Sequence, residues 1–145
     1  MRVGADEIEF EVTSEEGVGG MVAAAVRMAP GGGPPALHRH AASELYRVER
    51  GRLAFYVESD DVEVERFTAG PGRTVAIPGG REHTIRNESA GDAVAFVVYA
   101  PGADMEAFAR AAAGLAVDGP PSAERVNAVA AEHGVEITRP LAEVA

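Results

Sequence analysis

Two blocks punctuated by glycine and proline constrain this chain more than anything else in it. The first runs from Gly32 to Gly51 and the second from Gly72 to Asn87, and together they hold three of its four histidines, His38, His40 and His83. On an extended strand successive side chains alternate faces, so His38 and His40 point the same way. Glu44 joins them if the Ala41-Ala42-Ser43 link stays extended, and a slight bend there would still bring it round. His83 lies on a separate strand that can face the other three. Three imidazoles and one carboxylate suit a single divalent first-row transition metal (Fe, Mn, Ni, Co, Cu or Zn) and suit Mg or Ca poorly.

A His-x-His pair alone is a weak signal, because most strand histidines are packed or face solvent. The complete spacing is far more specific. The first block reads Gly-x5-His-x-His-x3-Glu-x6-Gly and the second Gly-x5-Pro-x-Gly-x2-His-x3-Asn. At every fixed position this resembles the two motifs of the cupin superfamily, and the likeness covers about residues 20 to 100. The resemblance implies an all-β, antiparallel jelly-roll barrel with the metal on His38, His40, Glu44 and His83. On that reading residues 1–100 are the barrel with an N-terminal strand arm, and 101–145 are a C-terminal helical appendage of the same domain. Cupins often dimerise through such an arm, so a homodimer is expected. The tail around Ala130 to Thr138 is diffusely similar to small bacterial quercetin-dioxygenase-like cupins.

The periodicity along the chain agrees with that architecture. Residues 6 to 12 alternate acidic and apolar side chains, with Ile8, Phe10 and Val12 on one face, as in a half-buried strand. Residues 20 to 29 read as a barrel strand, and Ser43 to Glu58 as a hairpin turning near Gly51. Within it Glu44, Tyr46 and Val48 share one face, as do Leu53, Phe55 and Val57 on the return. Residues 62 to 68 read as a strand with Val62, Val64 and Arg66 opposed to Glu63, Glu65 and Phe67. Pro78-Gly79-Gly80 is a tight turn, after which His83, Ile85 and Asn87 share a face. Residues 92 to 99 are almost wholly apolar and read as a buried closing strand.

Beyond Pro101 the period changes. Met105, Phe108, Ala109 and Ala112 form a helical stripe, with Asp104 as N-cap and Gly114 as stop. A second helix is expected from Ser122, with Val126, Val129 and Ala130 inward and Gly134 ending it. His133, the histidine outside the blocks, falls at that helix's C-terminus, where it complements the dipole. The expected architecture is a barrel of short strands carrying a C-terminal pair of short α-helices.

Composition narrows the chemistry. A chain of 145 residues, 46% hydrophobic, has enough apolar material for one cored domain. Its net charge of −10 argues against nucleic acid and anionic membranes as partners. All 13 basic residues are arginine, which removes lysine Schiff-base chemistry, and the absence of cysteine removes thiol nucleophiles, thiolate ligands and disulfides. The N-terminus lacks a charged-then-apolar signal pattern, so the expectation is a cytoplasmic protein.

Four ligands leave positions open on a metal that prefers five or six, so a small-molecule substrate can bind there. The expected function is a metal-dependent dioxygenase acting on a small aromatic or enolisable molecule. Glu44 would be both ligand and catalytic base, and Tyr46 and Phe55 would be substrate-binding by parity. Two alternatives stay open: a non-redox polyketide cyclase or isomerase using the metal as a Lewis acid, and a non-catalytic small-molecule-binding cupin.

Overall fold

In the computed structural model, which describes residues 1–116 and 118–144, the alternating segments resolve into strands. In chain order these are β1 (Arg2–Val3), β2 (Asp6–Val12), β3 (Val22–Met28), β4 (Ala36–Arg39), β5 (Ser43–Arg50), β6 (Leu53–Glu58), β7 (Val64–Ala69), β8 (Thr74–Ile77), β9 (His83–Arg86), β10 (Ala93–Ala100) and β11 (Glu136–Pro140). Helices α1 (Ala103–Leu115) and α2 (Ala123–Glu132) lie between the last two strands. The strands form two antiparallel sheets, ordered β1-β2-β3-β10-β5-β8 and β11-β4-β9-β6-β7. The chain crosses repeatedly between the sheets, and their inner faces enclose one core, as a jelly-roll barrel requires.

That core follows the strand alternation. Val26, Met28, Val48, Leu53, Phe55, Ala69, Val75, Ile77, Ile85, Ala93, Ala95 and Val97 are buried together between the sheets. A smaller cluster of Leu37, Ala54 and Tyr56 lies on the other face of the five-stranded sheet, covered by Val64, Leu141 and Val144. Both faces of that sheet are therefore used, which explains why β6 reads Leu-Ala-Phe-Tyr without a polar alternate.

Backbone chemistry stitches the two motif blocks together. Gly80 N–H donates to the His40 carbonyl, and Gly79 N–H donates to Ser43 Oγ at 2.9 Å. A Cβ on Gly79 would overlap the Ala41 carbonyl oxygen, so only glycine lets the second turn approach the first. Asn87 is fully buried and donates to the Met28 and Gly91 carbonyls, both at 2.8 Å, while its Oδ1 accepts from Ser89. Its place in the pattern is thus structural.

Several boundaries differ from the sequence reading. Val62 is not in a strand: it sits at φ 62°, 74% exposed, in the turn closed by Ser59 N–H to the Glu63 carbonyl. Asp104 is not the N-cap of α1. Gly102 holds that position, with its N–H on the Gly20 carbonyl, and Asp104 lies in the first turn, where its charge still favours the dipole. Gly114 lies inside the last turn instead of ending the helix. The strand over 93–100 alternates buried and half-buried residues, because its outer face, Val94, Phe96 and Val98, is not covered by a second layer of this chain's core. β2 is paired on both sides, with β1 folded back along it and β3 beyond.

The tail is not helix alone. Ser122 caps α2 by accepting from Arg125 N–H, and Gly134 at φ 73° ends it with Val135 N–H returning to the Ala130 carbonyl, a Schellman motif. The chain then re-enters the five-stranded sheet as β11 beside β4. Periodicity did not reveal this strand because five residues ending in proline carry little alternation. Among the described residues no helix is long and apolar enough to cross a membrane.

Candidate metal centre

Strand register builds the site from two facing rows. Across the five-stranded sheet, Ile137, His38, His83 and Val57 are successive partners on β11, β4, β9 and β6. Across the six-stranded sheet, Val22, Tyr99, Glu44 and Ile77 are partners on β3, β10, β5 and β8. Directly opposed residues in a ladder share a face, so each row presents its side chains together. His40 lies just past the end of β4 and completes the group.

The rows meet as the spacing predicts. The ligating nitrogens of His38, His40 and His83 lie within 4.8 Å of one another. Their ring centroids are 4.5 Å apart for His38 and His83, 5.0 Å for His40 and His83, and 5.9 Å for His38 and His40. Glu44 enters from the opposite sheet, with Oε2 at 2.6 Å from His83 Nε2 and 3.7 Å from His40 Nε2. It stands beside two of the three imidazoles and is not part of the tight triad.

Hydrogen bonding aims the donors inward. His83 Nδ1 sits 2.8 Å from the Arg81 carbonyl and His38 Nδ1 sits 3.1 Å from the Ala36 carbonyl. Each Nδ1 therefore carries the proton, which leaves the Nε2 lone pair facing the centre. His40 Nε2, His83 Nε2 and Glu44 Oε2 are buried without any well-formed hydrogen bond, despite their proximity. Orphaned buried lone pairs are costly, and here several converge on one point. A divalent cation satisfies all of them at once, so the residues present fit a metal.

The titration of these groups reflects the same crowding. Burial pushes His38 down to about 4, and the neighbouring His83 adds to the shift. Burial also lowers His40, with Glu44 opposing. Burial alone would raise the Glu44 carboxyl, but the imidazoles around it, His83 foremost, hold it below the usual range. Burial acts against charge on His83, yet contact with Glu44 outweighs it and raises the group. Without a metal, His83 and Glu44 thus share a proton as an ion pair.

Tyr46 and Phe55 occupy different layers. Tyr46 OH donates to Glu44 Oε1 at 3.4 Å, and burial with the adjacent carboxylate keeps the phenol firmly protonated. Phe55 is 0% exposed, packed edge-on to Tyr46 and stacked on Phe67, each at 5.5 Å. It belongs to the core layer beneath the site, because parity fixes the face and not the depth. Sequence reasoning also missed Tyr99, half-buried opposite Glu44. Its parity with Ala93, Ala95 and Val97 was the available signal, hidden because the strand reads as one continuous apolar run. His133 lies away from the centre, at the C-cap of α2 beside Phe108.

Fold and site together define a barrel with a histidine-rich centre between its sheets, the arrangement that the sequence motifs imply. A family model described as a cupin domain matches residues 24–99, more than half of the chain, and the protein belongs to that family. No curated protein matches its sequence. Among solved structures it is similar to an oxalate oxidase in complex with the substrate analogue glycolate, at 24% identity over 68% of this chain and 52% of that one, with a TM-score of 0.57. It is similar to a cupin-superfamily sugar phosphate isomerase from Silicibacter pomeroyi (22% identity, 67% and 60% of the two chains, TM-score 0.54). A polyketide cyclase from Streptomyces resistomycificus is comparable (21%, 66% and 65%, TM-score 0.55). This chain thus spans about half the length of the oxalate oxidase. Likeness at these identities concerns the fold, and the three printed activities differ.

Proposed function

We propose that this cupin is a metal-dependent enzyme of the dioxygenase kind, acting on a small aromatic or enolisable molecule. One divalent first-row transition metal would be held by His38, His40, His83 and Glu44. The observation that carries the reading is the convergence of orphaned, buried lone pairs from both sheets. Bound there, such a metal supplies Lewis acidity and, if redox-active, electron transfer toward dioxygen. The chain's own residues do the rest. His38 and His83 are locked in one tautomer by backbone carbonyls, so their ligating atoms are fixed before anything binds. Glu44 Oε2 accepts a proton from the substrate, and Tyr46 holds the other carboxylate oxygen in place. The apolar layer of Phe55, Ile85 and Val97 keeps water out from below.

The test is to strip the protein, reload it anaerobically with each of Fe, Mn, Co, Ni, Cu and Zn, and follow oxygen uptake with flavonols and related enediols. Uptake by at least one loaded form, abolished in Glu44→Gln, is expected. Metal bound at one per chain with turnover that consumes no oxygen would replace the dioxygenase reading by Lewis-acid cyclase or isomerase chemistry. Binding without any turnover would leave a small-molecule-binding cupin.

We also propose a homodimer, formed through the outer face of the six-stranded sheet. Register gives that face an ordered row of Glu9, Ala25, Phe96, Arg47 and Thr74, flanked by Glu7, Arg27, Val94 and Arg50 on one side and Val12, Ala23, Val98, Leu45 and Ala76 on the other. Leu45 is 43% exposed. A two-fold axis along the strands sets Glu9 of each copy over Arg47 of the other and Glu7 over Arg50, with the apolar middle buried between. Sedimentation should show a dimer that Arg47→Glu weakens and that the double exchange Glu9→Arg, Arg47→Glu restores. A wild-type monomer at micromolar concentration overturns it.

A further inference from the structure

The two facing rows are not sealed equally at their ends. On one side Val57 packs against the main core and Ile77 is 1% exposed, so nothing can enter there. On the other side the row partners are half-buried: Ile137 and His38 in one sheet, Tyr99 in the other. Ile137 is a member of neither apolar cluster of the fold, although it stands directly beside a ligand histidine.

The face on which Ile137 lies is settled by its neighbours. Glu136, one residue earlier, pairs with Arg39 on the outer face, their side chains 3.8 Å apart. After Ile137 the register shifts by a bulge, and Thr138 and Arg139 both bind the carboxylate of Glu82. Arg139 Nη2 lies 2.8 Å from Glu82 Oε1 and Nε lies 3.2 Å from Oε2. Glu82 is 5% exposed and immediately precedes His83, so this clamp ties the tail strand to the strand that carries a ligand. Bulges re-aim side chains, and this one leaves Ile137 alone on the inner face.

From this geometry we infer that the C-terminal strand builds an apolar subsite against the metal centre, with Ile137 as its specificity-determining side chain. The subsite accepts the hydrocarbon or aromatic substituent of an oxygen-donor chelate whose donor atoms sit on the metal. Tyr99 forms the facing wall. The inference rests on the metal reading above and names which substituent that site prefers.

Cobalt(II)-loaded protein provides the test, with two bidentate probes that differ only in their substituent, acetohydroxamate and benzohydroxamate. Dissociation constants come from the visible cobalt spectrum, and cobalt per chain comes from elemental analysis. Wild type should prefer benzohydroxamate. Ile137→Ala should cut that preference about tenfold, as loss of two or so methylene contacts implies. Ile137→Trp should exclude benzohydroxamate while acetohydroxamate binds as before, with cobalt near one per chain in all three proteins. Equal preference ratios across the three, with cobalt retained, overturn the subsite alone. Loss of cobalt from both variants would make Ile137 a support for His38 and also overturn it. A wild type that holds no cobalt overturns the metal reading and the subsite with it.

Discussion

At one end of the barrel Leu53, Phe67, Ala69, Ala93 and Ala95 fill the space between the sheets with carbon alone; four to six residues further along the same strands, the space is filled by three imidazoles, a carboxylate and two phenols. Both ends are buried, yet they are stabilised in opposite ways. The apolar end gains from removal of hydrocarbon from water at roughly 25 cal/mol per Å². The polar end leaves lone pairs unsatisfied and a proton shared between His83 and Glu44. The first end holds the sheets at a fixed separation, and the second uses that separation to keep its donors converged. Stability and reactivity are therefore divided along the strand direction.

Substitutions at each end should separate the two roles. His83→Ala should have the largest effect at the polar end, taking metal from about one per chain to under a tenth of that by elemental analysis, while the metal-free protein unfolds at nearly the wild-type denaturant midpoint. Equal metal in both proteins would erase the distinction between the ends. Phe55→Ala should do the reverse, lowering folding stability by about 3–5 kcal/mol in denaturant titrations while the folded fraction still binds metal.

Acidification sharpens the contrast in the metal-free protein. His38 is held at about 4 when folded, below its ordinary 6.5, so between those values the unfolded chain takes up a proton that the native state refuses. Its contribution to stability is complete above about pH 6.5 and is lost as pH falls from there toward 4. His40 acts in the same direction. His83 acts in the opposite one, since its raised folded value gives a contribution that is present in acid and lost as pH rises through that value. His38→Gln should flatten the decline between pH 6.5 and 4 in thermal melts, and an unchanged slope would detach His38 from it. The smallest effect is expected from Tyr46→Phe, which removes the 3.4 Å hydrogen bond to Glu44. Metal affinity in a chelator competition should fall by roughly tenfold or less, with full occupancy at saturation.

Much of this was legible in the sequence because the motifs specify backbone as well as side chains. Gly79 and Gly80 mark where one turn touches the other block, and the His-x-His spacing fixes a shared face once the strand is granted. Parity then placed Glu44 and His83 correctly. Depth was not legible: Phe55 and Tyr46 share the inward orientation, yet one lies a layer below the centre and the other touches its carboxylate. Partners from distant sequence were equally hidden. Nothing in Glu82, Thr138 and Arg139 separately announces a clamp, and a five-residue strand after two helices leaves no periodic trace.

That last strand also shields an edge. Without β11, the outer rim of β4 would present a line of free amide and carbonyl groups right beside His38, the kind of surface that templates pairing with foreign chains. A proteolytic nick near residue 120 would leave every metal donor in place and yet turn a discrete particle into one prone to clump.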